Sequence, residues 1–216
     1  GTGWGFGQSP TLEFVEFAQQ HEVLSESTYS KRYHNTIISY EDILKLDYPD
    51  GITPGIKASA QYVTDNIGYW GWRYFLPKSD VIDGTDKGTA SARSHANTPF
   101  MRYADVLLLF AEAEVQQNRQ TGNGLDALNE VRIRAGLPAL SSMTLQNVKD
   151  ERRIEFWGEG ERYLDLVRWG DAATMLADPN KYRYQFNGLN SDNSYNVSSD
   201  GIVYGLGFTK GTHEHW

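Results

Sequence analysis

The sequence predicts a mainly α-helical fold with long aromatic-rich loops and a few short strands. Residues 100–177 repeat apolar side chains every three or four positions, the period of an amphipathic helix. Residues 1–99 are rich in Gly, Tyr and Trp without a sustained period, and residues 178–216 are rich in Asn, Ser and Gly. Because 39% of the 216 residues are hydrophobic, the chain can bury one substantial core. We therefore expect a single domain with a helical core, a loop-rich region before it and an irregular tail after it.

Composition and charge exclude several classes of function. The formal net charge is −8 and no run of Lys and Arg occurs, whereas nucleic-acid binding needs clustered cations. No apolar stretch approaches the roughly 20 residues that span a bilayer. The chain contains no Cys, which excludes a thiol nucleophile, a disulfide and a Cys-ligated metal. We expect neither a nucleic-acid partner nor a cofactor.

The loop-rich region contains one helix candidate and one ambiguous segment. Ser9 can act as an N-cap and Pro10 suits the first position of a short helix that places Leu12 and Val15 on one face. Residues 35–44 are compatible with either a strand or a short helix, and the sequence does not separate the two.

The helical region begins with a helix whose apolar residues recur at i, i+3, i+4 and i+7. The residues expected to face the core are Phe100, Tyr103, Ala104, Leu107, Ala111 and Val115. Further apolar residues lie on other sides of the same helix, which we therefore expect to be buried on more than one side: Val106, Leu109, Phe110 and Ala113.

A second helix follows after a short break, and two helices joined by a short loop predict an antiparallel helical hairpin. Asn123 can cap its start, and Gly136 followed by Pro138 forms a stop signal. The residues expected to face inward are Leu125, Leu128, Val131 and Ala135. Small Ala residues allow the two helices to approach closely.

A charged stretch from Glu151 to Asp171 follows, on a third and a fourth helix. Thr144 is expected to cap the third helix, and Gly158 and Gly160 to form the joint between the two. Glu151, Glu155 and Glu159 are one helical turn apart, which places their Cβ atoms about 6 Å from each other. Retaining glycosidases use two carboxyl groups about 5–5.5 Å apart, so the spacing is compatible with catalysis.

The neighbouring cations favour a scaffold instead. Four arginines lie among the acidic residues: Arg152, Arg153, Arg162 and Arg168. A guanidinium group lowers the pKa of a nearby carboxyl and binds it through two parallel hydrogen bonds, whereas a general acid needs a raised pKa. We therefore predict no catalytic residue. The alternative is a glycoside hydrolase that uses Glu151 with Glu155, or Glu155 with Glu159.

Three motifs in order, between Arg102 and Asp171, resemble the RagB/SusD family of outer-membrane nutrient-binding lipoproteins. They read RYADVLLLFAEAEVQQ, ALNEVRIRAGLP and ERRIEFWGEGERYLDLVRWGDA. The resemblance implies a SusD-like fold in which residues 100–136 form a tetratricopeptide-like helix pair. It also implies that the chain is the C-terminal part of a longer protein, held at the extracellular face of the outer membrane by a lipid anchor that this sequence lacks.

The resemblance further implies binding without catalysis. Family members capture oligosaccharides or other nutrients and deliver them to a TonB-dependent transporter of the SusC type. The remaining alternative is a helical-repeat interaction module with no small-molecule ligand.

Aromatic side chains of the loop-rich, ligand-facing region are the candidate ligand-binding residues, because rings stack on the apolar faces of sugars. In an extended run, Trp70, Trp72 and Tyr74 point one way at intervals of about 6.6 Å, comparable to one sugar unit. Tyr69 in the same run and Trp4 complete the set. The alternative is that these rings pack inward. The terminal pair His213 and His215 is expected to hold no metal.

Overall fold

The computed structural model describes residues 10–26, 28–45, 68–73, 100–176, 185–192 and 194–198. Internal contacts divide the chain into two compact units. Of the described residues, the first unit contains 10–16, 35–45, 68–73, 185–192 and 194–198. The second contains 17–26, 28–34 and 100–176. The predicted organisation as one domain, with boundaries at residues 99 and 177, stays a prediction.

Helices dominate the described residues, which confirms the mainly α prediction. In chain order the elements are α1 (Leu12–His21), β1 (Val23–Ser25), β2 (Thr28–Tyr29), α2 (Lys31–Thr36), β3 (Ile37–Ser39), α3 (Tyr40–Lys45), β4 (Tyr69–Gly71), α4 (Tyr103–Gln116), α5 (Asn123–Ala135), α6 (Leu145–Glu155), α7 (Glu161–Trp169), α8 (Ala172–Met175), β5 (Gln185–Leu189) and β6 (Tyr195–Ser198). The strands form three antiparallel pairs, β1–β2, β3–β4 and β5–β6. In the part of the chain that the structure describes, no helix is both long and apolar enough to cross a bilayer.

The ambiguous segment at residues 35–44 contains both predicted structures. It begins as strand β3, which pairs with β4 so that Ile38 lies opposite Trp70. It continues as helix α3, where the Ser39 hydroxyl accepts a hydrogen bond from the Asp42 backbone N–H at 3.1 Å and caps the new helix. The switch occurs there because Ser39 is a good cap whereas the preceding isoleucines favour a strand.

Helix α1 begins later than the sequence predicts. Pro10 precedes the helix, and the Thr11 hydroxyl accepts a hydrogen bond from the Phe14 backbone N–H at 3.2 Å. The prediction that Pro10 takes the first helical position is therefore wrong, since Thr11 provides the cap. Ser9 lies outside the described residues.

The core of the second unit is built from α4, α5, α6 and the segments that join them. The inward-facing residues predicted for α5 are confirmed, since Leu125, Leu128, Val131 and Ala135 are all buried. A Cβ on Gly124 would lie 2.6 Å from the Glu114 Cβ, so the absence of a side chain lets α5 approach α4 closely. The hydrophobic cluster itself is Ala104, Leu108, Ala111, Val115, Leu125, Leu128, Val131, Met143, Val148 and Phe156.

The predicted helix ends around α5 and α6 have mixed outcomes. Gly136 adopts a left-handed conformation, with φ of 91°, and ends α5 as predicted. Thr144 caps α6 in a reciprocal capping box with Asn147, as predicted. The N-cap prediction for Asn123 is wrong, because Asn123 is already helical and Gly122 precedes it without a side-chain cap.

The prediction that α4 is buried on several sides is wrong. Phe100 is 97% exposed, and Tyr103 is exposed as well. Asp105 and Glu112, two turns apart, are buried on the inner face of this helix. A search for periodic apolar residues does not predict them, because both are acidic. Six of the ten residues predicted to be buried are thus exposed: Phe100, Tyr103, Val106, Leu109, Phe110 and Ala113. The predictions for Ala104, Ala111 and Val115 are confirmed, since all three are buried.

Candidate functional site

Two candidate regions correspond to the two sequence predictions. We call the first the charged corner: the acidic and arginine side chains that meet around the α6–α7 junction. Gly158 and Gly160 have φ of 80° and 91° there, conformations that side-chain-bearing residues rarely adopt, and they turn the chain between the helices. The joint predicted at these glycines is confirmed.

Arg32 of α2 lies at the centre of the charged corner and contacts three glutamates. Its guanidinium Nη1 donates to Glu151 Oε1 at 2.6 Å and to Glu155 Oε2 at 2.9 Å. Its Nη2 and Nε donate to the two carboxylate oxygens of Glu22, which also accepts from the Ser30 hydroxyl. Since all three glutamates and Arg32 are buried, each charge is compensated inside the protein.

Three more arginines, one preceding α4 and two from α5, complete the coordination of the glutamates. Arg102 donates to Glu159 through two nitrogens at 2.8 and 2.9 Å, and to Glu155 Oε1 at 2.5 Å. Arg134 also donates to Glu155, and Arg132 donates to Glu151 Oε2 at 3.1 Å. Both oxygens of Glu151 and of Glu155 are thus occupied by guanidinium groups.

A second group of ion pairs joins α4 to α6 and α7. Arg152 donates to Asp105 at 2.6 Å and to Asp165 at 2.8 Å. Arg168 contacts both oxygens of Glu112 and also Asp165. Glu112 is fixed further by the Trp169 indole N–H, which donates at 2.9 Å. This explains why α4 buries two acidic residues.

The pKa values show what this arrangement does to the carboxyl groups. Burial alone would raise the pKa of Glu155, but Arg32 and Arg102 outweigh it and hold that pKa below its ordinary value. The pKa of Glu112 is likewise lowered, because Arg168 and the Trp169 indole outweigh burial. Glu161 is the exception, since burial and the nearby Asp105 charge raise its pKa. A general acid at Glu155 would need the opposite shift.

The sequence predicted ion pairs within the 151–171 stretch, but it did not identify the more distant arginines that bind Glu151 and Glu155. Of the four interleaved arginines, Arg152 and Arg168 both pair with Asp165, an acidic residue of the same stretch. Arg153 stacks on the Phe17 ring, with its guanidinium carbon 4.2 Å from the ring centroid. The missed partner Arg32 lies 123 residues from Glu155, and local spacing carries no signal at that separation.

The second region is the aromatic strand pair, which we define as β3, β4, Tyr40 and Trp72. Trp70 and Trp72 are half-buried and pack with Tyr40 against Ile38 and Ile43. Their ring centroids are 6.1 Å apart, and their planes meet at 68°, an edge-to-face pair. The Trp72 backbone N–H donates to the Thr36 carbonyl at 2.8 Å, which holds it beside β3.

The other predicted ligand-binding residues have different positions. Tyr69 is half-buried and lies opposite Ser39 in the ladder, and strand alternation directs it to the face opposite Trp70. Tyr74 and Trp4 lie outside the described residues, as do His213 and His215. Among the residues that the structure describes, no cluster of three His, Asp or Glu side chains is arranged to hold a metal.

Comparison with known proteins gives a consistent result. The sequence model of the SusD family matches residues 19–202. A SusD-like protein of Bacteroides ovatus is 34% identical over 134 residues, which cover 60% of this chain and 24% of that protein. The starch-binding protein SusD of Bacteroides thetaiotaomicron is 37% identical over 91 residues, covering 42% of this chain and 15% of that protein.

Among solved structures, a laminarin-binding SusD-like protein superposes with a TM-score of 0.50 and 27% identity. The superposition covers 76% of this chain and 30% of that one. The chain therefore spans about a quarter or less of the curated relatives that it matches.

Proposed function

The chain belongs to the SusD family, and from that premise we propose that it forms part of a protein that binds oligosaccharides without cleaving them. We propose further that this protein acts at the extracellular face of the outer membrane, held there by a lipid anchor. It passes its ligand to a TonB-dependent transporter of the SusC type.

The observation that carries the proposal is the match of the SusD family to residues 19–202. The names of two similar proteins add to it, because each states a glycan ligand. One relative is named as starch-binding and one structural neighbour as laminarin-binding. Starch and laminarin are both glucans, so a glucan oligosaccharide is the first ligand to test. The transporter and the anchor are supported by the family resemblance alone.

The aromatic strand pair supports binding through rings. An indole that is half-buried is held in position by its packed side while part of its surface stays accessible to a sugar. Trp70 and Trp72 are held in this way, with Ile38 and Ile43 behind them. Their separation of 6.1 Å is close to the interval proposed for one sugar unit. Tyr69, Tyr74 and Trp4 remain proposed members of the site.

The charged corner supports the absence of catalysis. The oxygens of Glu151 and Glu155 accept hydrogen bonds from arginines, and the pKa of Glu155 is lowered. Because its pKa is lowered, the Glu155 carboxyl stays ionised at neutral pH and does not suit the role of a general acid.

The test is titration calorimetry with maltoheptaose and laminarihexaose on the full-length protein, combined with a reducing-end assay. We expect binding, no new reducing ends, and an affinity at least about tenfold weaker in Trp70→Ala and Trp72→Ala, since ring stacking contributes strongly to sugar binding. Tyr163→Ala, which removes an exposed ring of α7, serves as the control and should bind normally. Unchanged affinity in both Trp variants would contradict the site, and new reducing ends would contradict the function.

Exposed apolar side chains of α4 and of the segment just before it favour a second candidate, an interaction module without a small-molecule ligand. Phe100, Tyr103, Val106 and Phe110 are all exposed. Such residues are typical of a surface that contacts protein. This candidate predicts no heat of binding with either oligosaccharide.

A further inference from the structure

Helix α1 ends at His21, whose imidazole ring lies between two oxygen acceptors. Its Nδ1 is 2.8 Å from the Phe17 carbonyl oxygen of the same helix. Its Nε2 is 3.4 Å from Asp150 Oδ2 on α6. A neutral imidazole carries a proton on one nitrogen only and can satisfy one of these oxygens, whereas the protonated ring can satisfy both. The geometry therefore favours the charged form of His21.

Two further features of the same helix turn favour a positive charge on His21. The last carbonyl groups of a helix carry a partial negative charge, which stabilises a protonated histidine at that end. The His21 ring also contacts the Phe17 ring, with the ring centroids 4.1 Å apart and the planes tilted by 34°. The electron-rich face of an aromatic ring attracts a cation. A protonated His21 thus gains from its own helix as well as from Asp150.

Asp150 is held in place by a neighbour on its own helix. Gln146, one turn earlier on α6, donates from Nε2 to Asp150 Oδ1 at 2.7 Å. The other carboxylate oxygen, Oδ2, is the one near His21. Both side chains of the pair are partly buried, so salt screens the pair less than it would a fully exposed one. Because α6 fixes the carboxylate, the contact with His21 joins the end of α1 to α6.

The charged groups around the pair leave a net preference for protonation. The other charged side chains that line the same cavity are Lys149, Arg153, Arg162 and Asp171. Lys149 pairs with Asp171 at 2.6 Å, so these two charges compensate each other. The hydrogen bond to Asp150 raises the pKa of His21, and burial and the Arg153 charge oppose it only in part. The pKa of His21 therefore lies above its ordinary value of 6.5.

The end of α1 leads directly into the charged corner. The Glu22 backbone N–H donates to the Ala18 carbonyl at 2.8 Å and closes the last turn of the helix. The carboxylate of the same residue accepts hydrogen bonds from Arg32. The contact between His21 and Asp150 thus holds the helix turn from which the first glutamate of the corner extends.

We propose that His21 and Asp150 form a pH-dependent latch, which holds the last turn of α1 against α6 when the imidazole is protonated. The stabilisation is fully present below pH 6.5, the ordinary pKa of histidine, and is lost as the pH rises through the raised pKa of the folded protein. Raising the pH therefore loosens the end of α1. The latch does not depend on the proposed glycan binding, since it uses residues outside the aromatic strand pair.

The test is amide hydrogen exchange of the full-length protein, followed by mass spectrometry. It compares about pH 5.5 with pH 8, the range in which histidine titrates. After correction for the chemical exchange rate at each pH, peptides that cover residues 18–22 should be severalfold less protected at pH 8, because the turn then opens more often. Equal protection at the two pH values would overturn the latch.

Matched variants locate the effect. His21→Gln and Asp150→Asn each remove one member of the pair and keep a polar side chain, whereas His34→Gln removes an exposed histidine of α2. We expect the first two to show low protection of residues 18–22 at both pH values, and His34→Gln to behave like the unmodified protein. Protection that still changes with pH in His21→Gln would overturn the role of His21. Loss of the pH dependence in His34→Gln would overturn the location.

A second measurement decides the proposal even where a variant does not fold. Exchange of the imidazole Cε1 proton, followed by mass spectrometry, gives the pKa of an individual histidine. We expect the pKa of His21 to lie above 6.5 in the unmodified protein and to be lower in Asp150→Asn, which removes the charge that raises it. A pKa of His21 at or below 6.5 in the unmodified protein would overturn the latch, and so would a pKa that Asp150→Asn leaves unchanged.

Discussion

In the charged corner, Glu151 and Glu155 are 3% and 1% exposed and their oxygens meet arginines, whereas in the aromatic strand pair Trp70 and Trp72 are only half-buried and meet edge to face. In the corner, the glutamate oxygens already accept hydrogen bonds from arginines, so they are not available to a ligand. The strand pair holds groups whose packing is complete on one side only. The difference teaches that residue type alone does not mark a binding site, because accessibility after pairing decides which side chains can meet a ligand.

The largest expected effect comes from removing the central arginine of the corner. Arg32→Met should lower the free energy of unfolding by about 3–5 kcal/mol, because it leaves Glu22 and its two companion glutamates short of a buried counter-charge. Urea denaturation measures this loss. Arg119→Met, which breaks an exposed pair with Glu114, should cost about 1 kcal/mol or less. Similar losses in the two variants would break the contrast between buried and exposed charge.

A smaller loss is expected when only one carboxylate charge is removed. Glu155→Gln keeps the size of the side chain but leaves Arg32 and Arg102 with a neutral partner, so we expect a loss of about 2–3 kcal/mol. Thermal unfolding followed by circular dichroism measures it. Full stability together with altered glycan turnover would instead favour the hydrolase alternative.

The strand pair should respond to mutation in function more than in stability. Trp70→Ala removes a half-buried ring and should cost about 1–2 kcal/mol, less than a fully buried Trp would. Glycan affinity should fall far more in proportion, as described above. Urea denaturation beside calorimetry separates the two quantities, and a stability loss as large as that of Arg32→Met would remove the distinction between the regions.

The smallest expected effect on the free energy of unfolding is that of lowering the pH from neutrality. The folded-state pKa of Glu155 lies below its ordinary value of 4.5, so its contribution is fully present above pH 4.5. It is lost as the pH falls through the lowered pKa, because the unfolded chain then binds more protons. Unfolding free energies measured from pH 7 downward should stay level and then decline. A shallower decline in Glu155→Gln would sharpen the assignment to this residue.

The sequence predicted the fold well where the signal was local. Thr144, Gly136 and the two glycines of the joint have the predicted roles, because capping and positive φ depend on a few neighbouring residues. The inward face of α5 followed from its period. The prediction failed for the faces of helix α4, because its buried face includes Asp105, an acidic residue that the hydrophobic pattern places on the exposed side.

The candidate sites could be predicted less well. The acidic residues of the corner were identified, but Arg32 and Arg134, which bind Glu155, come from distant segments that only the fold brings together. The spacing of Trp70 and Trp72 was predicted closely, but their tilt of 68° was not, since it depends on packing against Ile38 and Ile43.

The separation between Arg32 and Glu155 also bears on how the protein is made. The two residues lie 123 positions apart, so at about 5–20 residues per second the ribosome needs roughly 6–25 s between them. Glu22, 10 positions before Arg32, is already present during that interval and can pair with it. Translation thus supplies Arg32 with one acidic partner early, and helix α6 brings the other two only after that interval.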